Sequence, residues 1–197
     1  MKTKTIFGAV VLAALALPGC NQETTSNAGP DKTSLPGARG NTPAANSNGM
    51  DSNSAGMENT FVTEAAVGGM AEVELGRMAQ TKAQNAEVKR FAQMMIDDHS
   101  KANDELKSLA TRKNFSLPTS LDAKHQSTMQ KLQGMSGAEF DKAYVDNMLE
   151  DHEKDVAEFE NQSQNNPDAD LKAFAAKTLP TLKKHLDTIK GIHGKMK

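Results

Sequence analysis

The chain has 197 residues, 37% hydrophobic and 4% aromatic, with no Trp, one Tyr and one Cys. Lys and Arg number 23 against 25 Asp and Glu, a formal net charge of −2, and no basic cluster stands out, which excludes the electrostatic footprint of a nucleic-acid binder. A single Cys allows no intramolecular disulfide, so packing has to hold the fold even in an oxidising compartment.

Residues 1–19 read as a signal peptide. Lys2 and Lys4 form a positive start, and residues 6–17 (IFGAVVLAALAL) form an apolar run too short to span a bilayer. The run ends at Leu17-Pro18-Gly19-Cys20, which resembles a bacterial lipobox, where cleavage precedes a Cys that carries acyl chains. The alternative is an ordinary cleaved signal peptide with a chance Cys. Asn21 rather than Asp follows Cys20, so in a Gram-negative host the expected location is the outer membrane, facing the periplasm. The expected partner is thus the membrane, through a lipid anchor at Cys20. Removal of residues 1–19 takes two Lys and no acid, leaving 21 basic against 25 acidic side chains.

Between residues 21 and 58 the composition shifts. Ser, Thr, Asn, Gly, Pro and Ala make up 28 of these 38 residues, and only Leu35, Met50 and Met57 are large and apolar. Such a segment buries too little surface to offset its ordering entropy, so residues 20–58 are expected to be a disordered tether. As a flexible coil it would span about 35 Å.

From residue 59 onward, period-two alternation is absent and helical periodicity runs almost to the end. The spacing predicts helix A from a cap at Asn59 or Thr60, with a stripe of Phe61, Ala65, Gly68, Glu72, Leu75 and Ala79. Asn85 and Glu87 mark a new start, and helix B runs to about Arg112. After Ser116-Leu-Pro-Thr-Ser a short helix covers about 121–132, inside a crossover from 113 to 135. Ser136 and Glu139 have capping-box spacing and open helix C, which runs to about Gln164. Asn166-Pro167-Asp168 makes a turn, and helix D follows with a stripe of Leu171, Phe174, Thr178, Leu182, His185, Ile189 and Ile192. Pro180 falls inside helix D, and Gly68 and Gly69 are expected to let helix A approach a neighbour closely.

Two of these stripes carry an ionisable ring where an aliphatic belongs. His99 lies four residues after Met95 and three before Ala102, and His152 lies four after Met148. In an antiparallel hairpin, residues equidistant from the turn share a height. Glu72 and His99 are centred on the A–B turn, and His152 and His185 on the C–D turn, so one layer should collect one carboxylate and three imidazoles.

Four stretches in this order resemble the domain-of-unknown-function 4142 family: FVTEAAVGGMAEVELG (61–76), VKRFAQMMIDDHSKAN (88–103), FDKAYVDNMLEDH (140–152) and LPTLKKHL (179–186). The resemblance covers about 60–193 and implies a bacterial envelope protein among the ferritin-like bundles, with no activity attached. The expected fold is therefore all-α: a ferritin-like four-helix bundle with one longer crossover carrying a short helix, preceded by a disordered tether.

Ferritin-like di-iron sites need four Glu and two His, with Glu-x-x-His on two helices. Here Met95, Ile96 and Leu149 stand where carboxylates would be wanted, so a ferritin-like oxidoreductase is disfavoured. Glu72, His99, His152 and His185 instead suit one divalent transition metal such as Zn, Cu, Ni or Fe. Met95 and Met148 are soft donors one turn away that would also suit Cu(I), and Asp98 and Asp151 could orient imidazoles from behind. The bland alternative is a metal-free polar layer, in which the three His, Glu72 and the Tyr144 hydroxyl satisfy one another and fix helix register. Such a protein would be a structural or protein-interaction lipoprotein. His125 is expected to pack on the crossover helix, and His193 to sit near the last carbonyls of helix D. Hydrolase chemistry finds no support, since there is no nucleophile constellation, phosphate-cradling loop or suitable acid pair.

The lipobox reading has a direct check. Cys20→Ser should leave an unprocessed precursor that takes up no radiolabelled lipid, whereas normal processing of that variant would indicate an ordinary signal peptide.

Overall fold

The computed structural model describes residues 52–196, so the signal segment, Cys20 and most of the expected tether lie outside it. Among the described residues there are five helices and no strand: α1 (Ser52–Lys82), α2 (Ala86–Lys113), α3 (Ala123–Gln133), α4 (Gly137–Asn165) and α5 (Ala169–Lys195). The four long helices form two antiparallel hairpins, α1 with α2 and α4 with α5, which meet through α2 against α5 and α1 against α4. Helix α3 rides on the crossover and touches α1 and α4. No helix among the described residues is long and apolar enough to cross a membrane.

The turns follow from side chains that satisfy helix-end amides. Asn85 is extended (φ −73°, ψ 124°) and accepts from the Glu87 amide at 2.8 Å, opening α2. Asp168 accepts from the amides of Asp170 and Leu171 to open α5, and Lys113 at the end of α2 bonds the same carboxylate. Asp141, 3% exposed, reaches from α4 to the α1–α2 turn and accepts from the amides of Gln84 and Asn85. That bond ties one hairpin to the other.

Three local expectations change. Helix α1 begins at Ser52 rather than at Asn59 or Thr60, so the last residues assigned to the tether are helical. Extending an already nucleated helix backwards costs little per residue, even for Ser, Asn and Gly. The capping box at Ser136 does not form: Ser136 makes no side-chain cap bond, and Gly137 takes a left-handed φ of +61°. Of the glycine pair, Gly69 packs α1 on α2, since a Cβ there would lie 2.1 Å from Asn103 Oδ1. Gly68 faces open space, with nothing within 4 Å of where a Cβ would stand. Helix α5 runs on through Pro180.

The core is split in two. A lower cluster near the α1–α2 turn joins Leu75, Ala79, Phe91, Met95, Phe140, Tyr144, Met148 and Ile189. An upper cluster near the α4–α5 turn joins Phe61, Leu106, Phe159, Leu171, Phe174 and Leu182. Following each long helix, the residue between its two apolar contributions is Glu72, His99, His152 or His185.

Leu106 is 1% exposed in the upper cluster. Leu106→Asp buries an unpaired charge there and should abolish the cooperative helical melt, read by circular dichroism. Retention of that melt would contradict this packing.

Candidate metal centre

All four layer residues are withdrawn from solvent: Glu72 is 4% exposed, His99 6%, and His152 and His185 0%. The three imidazole centroids lie 5.3–5.8 Å apart, one each from α2, α4 and α5. One ring nitrogen from each falls within 4.8 Å of the other two.

Each ring is anchored through one nitrogen. His99 Nδ1 lies 2.8 Å from Glu72 Oε2. His152 Nδ1 lies 2.9 Å from the Met148 carbonyl, and His185 Nε2 lies 3.0 Å from Asp98 Oδ2. A carbonyl can only accept, so His152 carries its proton on Nδ1 and presents a lone pair at Nε2. The carboxylates impose the same logic on their partners. His99 Nε2, His152 Nε2 and His185 Nδ1 are thus lone-pair donors, and all three are buried with no hydrogen-bond partner in the protein.

Electrostatics hold the rings in this neutral state. Burial lowers His99 and His185 to about 4, against the pull of Asp155 and Asp98 on the first and of Asp98 on the second. His152 is lowered too, by burial, against the opposing field of Glu72. Phe91 closes the lower side edge-on, its ring centroid 6.0 Å from that of His152 and 6.4 Å from that of His185.

The other expected residues separate into those that reach the centre and those that do not. Asp98 orients His185. Glu72, expected as a direct ligand, stands behind His99 as its acceptor, and its Oε2 is engaged while Oε1 has no donor. Asp151 does not orient an imidazole; its nearest cation is Lys124, at 4.0 Å. Met95 and Met148 are fully buried in the lower cluster, and it is the Met148 carbonyl that contacts His152. Tyr144 stacks on Phe140, and its buried hydroxyl has no partner. The mutually satisfied layer of three His, Glu72 and Tyr144 is therefore not formed. His125 pairs locally with Asp122 at 2.7 Å, and His193 lies 3.4 Å from Asp146.

Asp155 adds a further acid beside the layer. Asp155, three residues after His152 on α4, lines the same cavity as Glu72 and His99. Burial, then the Glu72 charge, raise Asp155 well above the usual carboxylate range, and burial raises Glu72 to about 7. The sequence signal for Asp155 is the His-x-x-Asp spacing at 152–155, which puts both side chains on one helix face.

The family model of a domain of unknown function, DUF4142, matches residues 41–192, well over half of the chain. The chain belongs to that family. No curated protein matches it by sequence. Among solved structures, CopM in its Cu(II)-bound form superposes with a TM-score of 0.60 at 16% identity, covering 71% of this chain and 97% of its own. A DUF305 fragment from Deinococcus radiodurans gives 0.61 at 14% identity, covering 70% and 95%. CopM in its Ag-bound form gives 0.58 at 16% identity, covering 70% and 96%. At these identities the likeness is one of fold, and it agrees with the helical bundle.

Glu72 supplies a pH test on metal-free protein. Its carboxyl takes up a proton near 4.5 when unfolded and near 7 when folded, so its burial costs stability as pH rises through that window. Glu72→Gln removes the ionisation and should gain stability relative to wild type at pH 8 compared with pH 4. A gap between the two proteins that stays constant across pH would contradict the assignment.

Proposed function

We propose that this protein is a cell-envelope metal-binding module that holds one transition-metal ion on His99 Nε2, His152 Nε2 and His185 Nδ1. The observation that carries the reading is the meeting of three buried imidazoles from three helices, one nitrogen of each within 4.8 Å of the others and one nitrogen of each without a partner. Buried acceptors without donors are destabilising, and a shared cation satisfies all three together. Each ring also has its far nitrogen fixed by a carboxylate or carbonyl, the arrangement that orients histidine ligands in metal sites. Metal–nitrogen bonds of about 2.0–2.1 Å put ligand nitrogens about 3.3–3.6 Å apart, so the rings have to draw together by about 1 Å.

Three neutral imidazoles favour borderline cations, Cu and Zn ahead of hard ions. The Cu(II)- and Ag-bound forms of CopM, a protein of the same fold, support copper as the first ion to test. Asp98 stands behind His185, and Glu72 and Asp155, both raised by burial, can release a proton as a divalent ion binds. With a lipid on Cys20, the tether would hold the bundle at the membrane, where it would buffer or store the ion. The lack of a Glu-x-x-His pair on the helices leaves dioxygen chemistry of the di-iron kind without its ligands.

Adding Cu²⁺ or Zn²⁺ to the metal-free protein at pH 7.5 should raise its melting temperature by about 10 °C at a hundred times Kd. The depressed imidazole pKa values keep that shift largely intact at pH 5.5 and remove it towards pH 4. His99→Ala, His152→Ala or His185→Ala should each abolish it, while His125→Ala and His193→Ala leave it in place. Absence of any shift in wild type would return the layer to a purely structural role.

A further inference from the structure

Above the histidine layer a cavity of about 470 Å³ reaches down to Glu72 and His99. Its inner wall is apolar, with Phe61, Leu106 and Phe159, and its mouth carries Glu64, Asp155 and Glu158 against the single cation Lys154. A second cleft, of about 560 Å³, opens towards the crossover, and Glu64, Gly68, Glu72, Lys154 and Asp155 line both. The two spaces thus meet in one acidic vestibule between α1 and α4.

Three independent features mark this vestibule as more than a crease. Glu72 Oε1 is a buried acceptor with no donor, and Glu72 lines both spaces. Gly68 stands at their junction with nothing within 4 Å of a would-be Cβ, so no packing contact requires glycine there. Lys154 is engaged by Glu150 on the outer surface of α4, which leaves the acids in the majority. The rival opening lies between α2 and α5, is only about 150 Å³, and touches His99 and His185. There Lys177 bonds Glu105 at 2.7 Å, and Lys101 and Lys177 offset Asp98 and Glu105.

We propose that a divalent cation reaches the imidazoles through the α1–α4 vestibule, passing from the carboxylates of Glu72 and Asp155 to the ring nitrogens. The inference rests on the metal-binding reading and adds its route. Glu64 and Glu158 concentrate cations at the mouth, Glu72 and Asp155 exchange oxygen ligands for the ion's water, and the imidazoles then replace those oxygens. Gly68 keeps the passage open.

Stopped-flow absorbance with Co²⁺ as the probe tests the route. Phe in place of Gly68 fills the junction, and Phe in place of Thr181 fills the α2–α5 crease instead. Gly68→Phe should slow association and dissociation together by about tenfold, leaving Kd within about twofold, while Thr181→Phe changes neither rate. Unchanged rates in Gly68→Phe, or slowing in Thr181→Phe, would overturn the route. The pair Glu64→Gln with Glu158→Gln keeps an amide oxygen to accept from buried Gln162 and should lower the association rate and flatten its dependence on salt, so the route is judged even if Gly68→Phe does not fold. Association equally fast and equally salt-dependent in that double variant counts against it. Failure of wild type to develop cobalt ligand-field bands at all would instead strike the metal-binding reading itself.

Discussion

Everything in this bundle is arranged around the expense of burying three imidazoles at one height. A ring in an apolar core has to find partners for two nitrogens, and the fold supplies only one per ring: Glu72 for His99, the Met148 carbonyl for His152 and Asp98 for His185. Those partners fix both orientation and tautomer, because an acceptor on one side forces the proton to that side. The remaining nitrogens are left without partners as a consequence. Burial then keeps them neutral, and Phe91 seals the side away from the cavity. A metal site and an unsatisfied polar core have the same geometry here, and the balance between them depends on the cation.

The layer is also what divides the hydrophobic core. Each long helix contributes apolar residues to a lower and an upper cluster, with the polar residue between them. Strong caps hold the ends of this divided core. Asp141 on the α1–α2 turn fastens the lower end, and Lys113 on Asp168 fastens the upper. Such crossed ties fix the axial register of the hairpins, on which the alignment of the three rings depends. A slide of one hairpin by a single helical residue, about 1.5 Å, would be comparable to the closure that a metal needs.

Much of this was legible in the sequence, for a geometric reason. Stripe periodicity puts His99, His152 and His185 on buried faces, and equal distance from a short turn puts Glu72 opposite His99. What periodicity cannot give is the direction in which a side chain ends. Glu72 was legible as a member of the layer, but whether its oxygens pointed to the centre or to a ring proton was not. Asp98 and Asp151 occupy like positions before their histidines, yet only Asp98 reaches an imidazole, because the α2–α5 contact brings His185 to it. Asp155 is not legible, because a carboxylate in an acid-rich helix reads as solvated unless a neighbouring helix is known to cover it. The helical start at Ser52 was hidden by weak local propensity, which an adjoining packed helix overrides.

The layer is hard to explain as a device for stability. A Leu at any of the three histidine positions would join the two clusters and remove an orphaned acceptor, and replacing buried polar groups by well-packed apolar ones is often neutral or stabilising. Register alone would need fewer groups, since one buried polar pair can specify it, and such pairs satisfy each other. Here the polar groups are three, each is oriented by a partner on one nitrogen, and four of the six buried side-chain atoms without a partner among the described residues belong to this layer. Glu72 and Asp155, both raised by burial, flank the neutral rings. Rings whose own protonation is depressed by burial make a site that favours a cation over a proton below neutral pH. The free energy of binding such an ion would offset the instability that the layer imposes, which links the fold's least economical feature to its function.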